Sequence, residues 1–221
     1  MIQMFKAIIF DFDGTLAETK ESIIKAVQKA LSNIGCVVDD YFIERRIGIG
    51  GRLVIKAALE DKKIPYTDSL IEKLVARART ARLTFLNTIK VFDGTPELLD
   101  ALRGRIRIAL ATMSGRKAID ILLRENGLAK YFEVVISADE VLEPKPAPEI
   151  FLKCAEKMDL DPKDCVVVED SIFGVEAAKA AGMKCIAVTS GAYTAEELRR
   201  EGSDLVVTSI NDKEKILKFL F

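Results

Sequence analysis

Histidine is absent from the 221 residues. Without an imidazole there is no Ser-His-Asp triad, no Cys-His pair, no histidine metal ligand and no histidine acid or base. Cysteine is scarce: Cys36, Cys154, Cys165 and Cys185 lie far apart with no Cys-x-x-Cys pair. That spacing argues against a zinc cluster or a disulfide framework and predicts buried free thiols in a reducing compartment. No apolar run approaches the roughly 18 residues that a membrane span needs. Residues 1–10 lack the apolar length and the small-residue cleavage site of a secretory signal, so the expected location is the cytoplasm. Neither sign of charge dominates: 33 Lys and Arg stand against 34 Asp and Glu, a net charge of -1. A nucleic-acid partner held by bulk electrostatics is therefore not expected. What is present, 49% hydrophobic and 30% charged residues, is the balance of a folded globular chain. At this length it makes one large domain, or a domain with a smaller companion.

Short apolar runs at residues 7–10, 106–111, 134–136, 166–168, 185–188 and 205–207 have the form of strands buried on both faces of a parallel sheet. Helical patterns lie between them. Thr95 is the expected N-cap of one, with Pro96 at its first position. Another runs over 117–125 and stops at Asn126-Gly127, and two more over 174–181 and 194–201 end at Gly182 and Gly202. Strands alternating with helices at this spacing predict an α/β fold, a Rossmann-like parallel core of about six strands with helices on both faces. The alternation breaks once. From about residue 18 to 87 only helical periodicity is visible, as in Ile23, Ile24, Val27, Ala30, Leu31 and Ile34, then Leu70, Ile71, Leu74, Val75, Ala78 and Phe85. The expected domains are a core of residues 1–16 and 90–221 and an inserted all-helical cap of 17–89. The cap would leave and return at the carboxyl end of the first strand, where open α/β sheets place their ligands.

Asp11-Phe12-Asp13-Gly14-Thr15 directly follows that first strand. Two carboxylates at a strand end are costly to place there without a partner. Solvated turn residues are the plainer reading. A calcium loop fails, because the EF-hand template needs glycine sixth and glutamate twelfth, whereas here glycine comes fourth and Leu16 sixth. Glu169-Asp170 repeats the acidic strand-end placement after Val166-Val167-Val168. Thr112 alone could be a helix cap, and Lys145 among prolines a solvated loop charge.

The run Asp-x-Asp-Gly-Thr-Leu resembles the signature of the haloacid dehalogenase-like hydrolases, most of which are phosphatases. Three further pieces stand in the family's order: Thr112 after the second strand, Lys145-Pro146, and Glu169-Asp170 followed by Gly174. Together they span essentially the whole chain and point to the phosphoglycolate phosphatase and β-phosphoglucomutase branch with a helical cap. The resemblance implies Asp11 as nucleophile and Asp13 as general acid, then base. It implies a phosphoryl pocket of Thr112, the Met113 backbone and Lys145. It further implies Mg2+ held by Asp11, the Asp13 carbonyl and Asp170, with Glu169 bound to the metal or just behind it. The implied reaction is hydrolysis of a small phosphorylated metabolite through an aspartyl-phosphate. A dication suits that chemistry, since two unit charges 4 Å apart repel by about 1 kcal/mol in water and about 4 kcal/mol at an effective dielectric of 20.

Two departures bear on the alternatives. Met113 stands where many relatives carry asparagine. The segment Thr19-Lys20-Glu21-Ser22-Ile23 lacks the histidine that β-phosphoglucomutases place there, which weighs against a mutase. A non-catalytic receiver-type module is the other alternative, although it would lack both the inserted cap and Asp13. In the cap, Arg45, Arg46, Gly50, Gly51 and Arg52 form a candidate specificity segment: glycines admit close backbone approach, and an arginine can fork onto an anion. A plain glycine-rich helix connection remains the other reading of that segment. Lys73, Arg77, Arg79 and Arg82 are expected on the solvated face of the long cap helix, and Lys215 and Lys218 on the outer side of a terminal helix. The expected assembly is a monomer or small homo-oligomer, without nucleic acid or membrane.

Overall fold

The structure is a computed structural model that describes residues 5–221; the part of the N-terminal reading that concerns residues 1–4 lies outside them. The chain runs through β1 (Ala7–Phe10), β2 (Ala17–Glu18), α1 (Lys20–Ser32), α2 (Asp40–Glu44), α3 (Gly51–Asp61), α4 (Asp68–Leu83) and β3 (Lys90–Val91). It continues through α5 (Gly94–Leu102), β4 (Arg107–Ala111), α6 (Arg116–Glu125), β5 (Val134–Ile136), α7 (Glu149–Lys157) and β6 (Cys165–Glu169). Last come α8 (Ile172–Ala180), β7 (Lys184–Val188), α9 (Ala195–Arg200), β8 (Leu205–Val207) and α10 (Lys213–Leu220).

All six apolar runs are strands of one parallel sheet, in the order β5-β4-β1-β6-β7-β8. Strand alternation sends Ile8 and Phe10 into one layer, with Ile108, Leu110, Val166 and Val168. It sends Ala7 and Ile9 into the other, with Ala109, Ala111 and Val167. Burial on both faces is why these strands are continuous apolar runs rather than alternating ones. The chain steps outward from β1 to β4 and β5, then returns to the other side of β1 for β6. The carboxyl ends of β4, β1 and β6 therefore flank a topological switch point.

Helices α1 to α4 bury their apolar stripes on one another, around Leu31, Ile43, Ile55, Leu59, Ile71 and Leu74, apart from the two layers of the sheet. The periodicity marked α1 and α4 and left α2 and α3 undivided. The two chain crossings into this helical unit are held together by an antiparallel ladder, Ala17↔Val91 and Glu18↔Lys90. Two residues per strand are too few for a period-2 pattern, so the ladder is not visible in the sequence.

One cap differs from expectation. α5 starts at Gly94, so Pro96 is its third residue and Thr95 is not its N-cap. The buried Thr95 hydroxyl instead donates to the Leu16 carbonyl at 2.8 Å, tying α5 to the turn after β1. All four thiols are buried, and burial pushes Cys165 up to about 11 and Cys185 well above its ordinary value. Such thiols are packing groups rather than nucleophiles. Among the described residues, no helix is long and apolar enough to cross a membrane.

Candidate active site

Sheet register assembles the site. Phe10 pairs with Leu110 on one side and Val168 on the other, so Asp11 emerges level with Ala111 and Glu169. Thr112 and Asp170 are the next residues on those two strands, and the Asp11 N–H donates to the Val168 carbonyl at 2.9 Å. Residues far apart in the chain thus reach one sheet edge at consecutive positions.

Lys145 is wholly buried. Its ammonium donates to Asp11 Oδ1 at 2.7 Å, Glu169 Oε1 at 2.6 Å and the Ala111 carbonyl at 3.3 Å. Burial opposes its charge, yet Asp11 and Glu169 hold its pKa above the ordinary value. Burial pushes Asp11 up to about 8, with Glu169 and Asp13 pushing the same way and Lys145 pulling back. The other Glu169 oxygen accepts from the Asp170 N–H, the Ser171 N–H and the Ser171 hydroxyl, each at 2.9 Å. Both Glu169 oxygens are therefore spent on positioning Lys145 and the start of α8.

Asp170 has a different setting. Thr15 Oγ1 donates to its Oδ1 at 3.2 Å. A Cβ on Gly14 would fall 2.3 Å from its Oδ2, and one on Gly191 only 1.9 Å away. Gly14 also has φ +82, so glycine is required there both for the turn and for the approach. Burial first, then Glu169 and Asp11, raise Asp170 well above the carboxylate range. A small cavity of about 20 Å³ beside it is lined by Gly14, Thr19, Asp170, Ser190 and Gly191.

Asp13 is held from several directions. Thr112 Oγ1 donates to its Oδ2 at 3.1 Å and the Ser114 hydroxyl donates to the same oxygen. Arg82 Nη2 donates to Oδ1 at 2.5 Å, and Arg82 Nη1 to Ser114 Oγ. Burial alone would raise its pKa, but the Arg82 guanidinium and the Ser114 hydroxyl hold Asp13 below the usual carboxylate range. The Ser114 N–H donates to Thr112 Oγ1 at 3.1 Å, which fixes the turn into α6.

Above these groups a cavity of about 550 Å³ separates the helical unit from the sheet. Asp11 and Asp13 line its floor, Ser114 and Lys117 one wall, and residues 46–52 its roof. Arg46, Gly50, Gly51 and Arg52 face it; Arg45 does not. Arg45 turns the other way, donating to the Ala192 carbonyl at 2.8 Å, pairing with Glu197 at 2.5 Å and stacking on the Tyr193 ring. Arg46 lies on the Phe42 ring, and Arg52 is paired with Asp68 and Glu72. Met113 meets the roof: a Cβ on Gly50, whose φ is +85, would fall 2.9 Å from Met113 Cε.

The expected solvated face of α4 divides. Lys73 and Arg77 are exposed. Arg79 crosses to Asp139 of the sheet domain at 2.7 Å, and the Arg82 side chain is only 11% exposed. A signal existed: Arg82 follows Ala78 by four and Val75 by seven, so it shares their buried stripe. Ser114 also went unremarked, although it sits two residues past Thr112 at the same strand end.

The model of the family described as haloacid dehalogenase-like hydrolase matches residues 8–188. The fructose-1-phosphate phosphatase YqaB of Escherichia coli is 33% identical over 190 residues, 85% of this chain and 98% of its own. Among solved structures, a hydrolase from Pseudomonas syringae superposes with a TM-score of 0.89 at 28% identity, covering 96% of this chain and 98% of that one. The β-phosphoglucomutase of Clostridium difficile gives 0.86 at 26% identity, with 98% and 97% covered. The matched stretch opens on the strand that delivers Asp11 and runs beyond the one that delivers Asp170, and the relatives correspond over nearly their full lengths, so this chain belongs to the haloacid dehalogenase-like hydrolases.

Proposed function

We propose that this chain hydrolyses a small organic phosphomonoester, of the sugar-phosphate or phosphoglycolate kind, through an aspartyl-phosphate on Asp11. The observation that carries the reading is the Asp11 carboxylate: buried, bonded to a buried lysine, and lining the cavity under the helical unit at a sheet switch point. Relatives named for fructose 1-phosphate and β-phosphoglucose chemistry support the substrate class. An Asp11 oxygen attacks phosphorus, the bond to the leaving oxygen breaks, and Asp13, which must enter this step protonated although Arg82 favours its charged form, gives that oxygen its proton. Water then attacks the same phosphorus, loses a proton to Asp13, and the Asp11–phosphorus bond breaks to release phosphate. Lys145 holds Asp11 and brings positive charge to the phosphoryl group, and the Met113 N–H would face it; the Thr112 hydroxyl, expected there from the sequence, gives its one proton to Asp13 instead.

The donor set fits a divalent cation. Among the described residues, the buried carboxyl groups of Asp11, Asp13, Glu169 and Asp170 meet two cations, Lys145 and Arg82, so full ionisation would leave an excess of two negative charges for an ion to balance. Asp11, Asp170 and the Asp13 carbonyl would hold the ion, with the Asp170 oxygen in its glycine cradle and the small cavity beside it roomy enough for about one water. Glu169 is assigned to Lys145 rather than to the ion, because both its oxygens are engaged. Mg2+ is the ion proposed, because it is content with one or two carboxylates and several waters. Bound there, it would neutralise charge on the phosphoryl group. Residues 17–89 would act as the cap, and the buried thiols suit a cytoplasmic setting.

Phosphate release across a panel of small phosphoesters, with and without Mg2+ and with Asp11→Asn as control, tests this reading. Activity confined to the wild-type chain with Mg2+ is the expected result; an Asp11→Asn variant near wild-type rate would refute the nucleophile. The fold likeness to a β-phosphoglucomutase keeps a mutase as a second reading. β-Glucose 1-phosphate separates the two: isomerisation marks a mutase, free phosphate a hydrolase.

A further inference from the structure

Arg82 lies in the last turn of α4, yet its guanidinium ends in the sheet domain. It closes a ring of hydrogen bonds in which Nη2 donates to Asp13 Oδ1, Nη1 to Ser114 Oγ, and the Ser114 hydroxyl to Asp13 Oδ2. The two charged side chains are 11% and 8% exposed, so each is desolvated and depends on the other. Each terminal group of Arg82 gives one N–H to this ring, and its Nε is buried without a partner among the described residues. Arg82 also lines the cavity, with a second N–H on each terminal group beyond the ring. Its neighbour Arg79 is paired with Asp139.

The two oxygens of Asp13 are left unequal. Oδ2 accepts from two hydroxyls, Thr112 and Ser114, which uses both of its lone pairs. Oδ1 accepts from the charged Arg82 fork. We infer that Arg82 is a positioning residue carried by the helical unit: it fixes the Asp13 carboxyl in the orientation from which it exchanges the proton with the leaving group. This rests on the proposed phosphatase reading and adds to it. The helical unit then supplies part of the acid's orientation as well as a roof over the cavity.

The test compares kcat/KM for an alkyl phosphate, whose leaving oxygen needs a proton, with that for p-nitrophenyl phosphate, whose leaving group does not. This ratio reports only the steps up to the aspartyl-phosphate. Arg82→Met should lower kcat/KM for the alkyl ester about 100-fold and leave the aryl ester within about threefold. Arg82→Lys should recover part of the loss, since a point charge replaces the fork. In an Asp13→Asn background, Arg82→Met should cost almost nothing further. Ser114→Ala breaks the same ring without altering α4, so it carries the test even where Arg82→Met fails to fold; it should show the same preference for the aryl ester. Equal losses for both esters, or additive losses on top of Asp13→Asn, would overturn the inference and mark Arg82 as a substrate contact or a packing group. A wild-type chain inert towards both esters in Mg2+ would overturn the phosphatase reading itself, and this inference with it.

Discussion

Lys145 has three ammonium protons to place and no water to take them, and the site gives each an oxygen: Asp11, Glu169 and the Ala111 carbonyl. The pair with Asp11 therefore has a structural role beside the catalytic one proposed for it. Removing the lysine while leaving both carboxylates buried is the costly half of breaking such a bridge, about 3–5 kcal/mol. Lys145→Met should lose that much stability in urea unfolding along with its turnover. Adding Glu169→Gln should restore part of the stability and none of the activity; a single variant as stable as wild type would show that water reaches the site. Lys145 was legible because a lysine in a Lys-Pro step fell at a recognisable place among three other motif segments. Arg82 and Arg45 were not, because a guanidinium reaches several ångströms from its backbone and neighbours in sequence do not say in which direction. Arg45, chosen as a substrate contact, faces away from the cavity, while Arg82, assigned to solvent, holds Asp13.

Elements were legible where they bury a stripe long enough to repeat. Six strands and α1, α4, α6, α8 and α9 announce themselves by apolar runs, periodic faces or terminal glycines. The β2–β3 ladder and the true start of α5 depend on contacts between segments distant in sequence, above all Thr95 with Leu16. Because the Leu16 carbonyl also accepts from the Phe92 N–H at 3.0 Å, losing the Thr95 hydroxyl leaves it partly satisfied. Thr95→Val, close to isosteric, should cost about 1 kcal/mol in urea unfolding with the m-value unchanged. Between α2 and α3 the glycine-rich segment is a helix connection that also roofs the cavity. Gly50→Ala should be costly twice over, for its extended positive-φ backbone (φ +85, ψ 150), open essentially to glycine alone, at about 1–3 kcal/mol, and for the clash with Met113. Pairing it with Met113→Ala should recover only the second part, measured as the shift in melting temperature. Full recovery would place the whole cost in the contact.

At the scale of the molecule, the order of the strands and the seating of the helical unit depend on crossovers and long-range pairs, which local patterns do not encode. The seating uses a clasp on the side opposite Arg79 and Arg82. Arg45 lies on the Tyr193 ring, 4.0 Å from its centroid, and pairs with Glu197, while the Tyr193 hydroxyl donates back to the Arg45 carbonyl at 2.5 Å. The Arg45 guanidinium, with the Thr194 N–H and hydroxyl, holds Glu197 down at about 2. An unfolded glutamate titrates near 4.3, so between these values the unfolded chain binds the extra proton. The contribution of the clasp is thus complete above about pH 4.3 and is lost as the pH falls towards 2. Glu197→Gln is the informative change, because glutamine can keep the reciprocal bond of the α9 capping box with Thr194 while removing the charge that Arg45 meets. Unfolding midpoints in urea should show wild type above the variant at pH 7, with the gap narrowing through pH 4 and pH 3. Hydrogen exchange in residues 45–50 should quicken in the variant at neutral pH, where the lost charge matters most. A gap that stays constant with pH would mean that the stacked ring and the carbonyl bonds alone seat the helical unit, and that the ion pair contributes nothing to it.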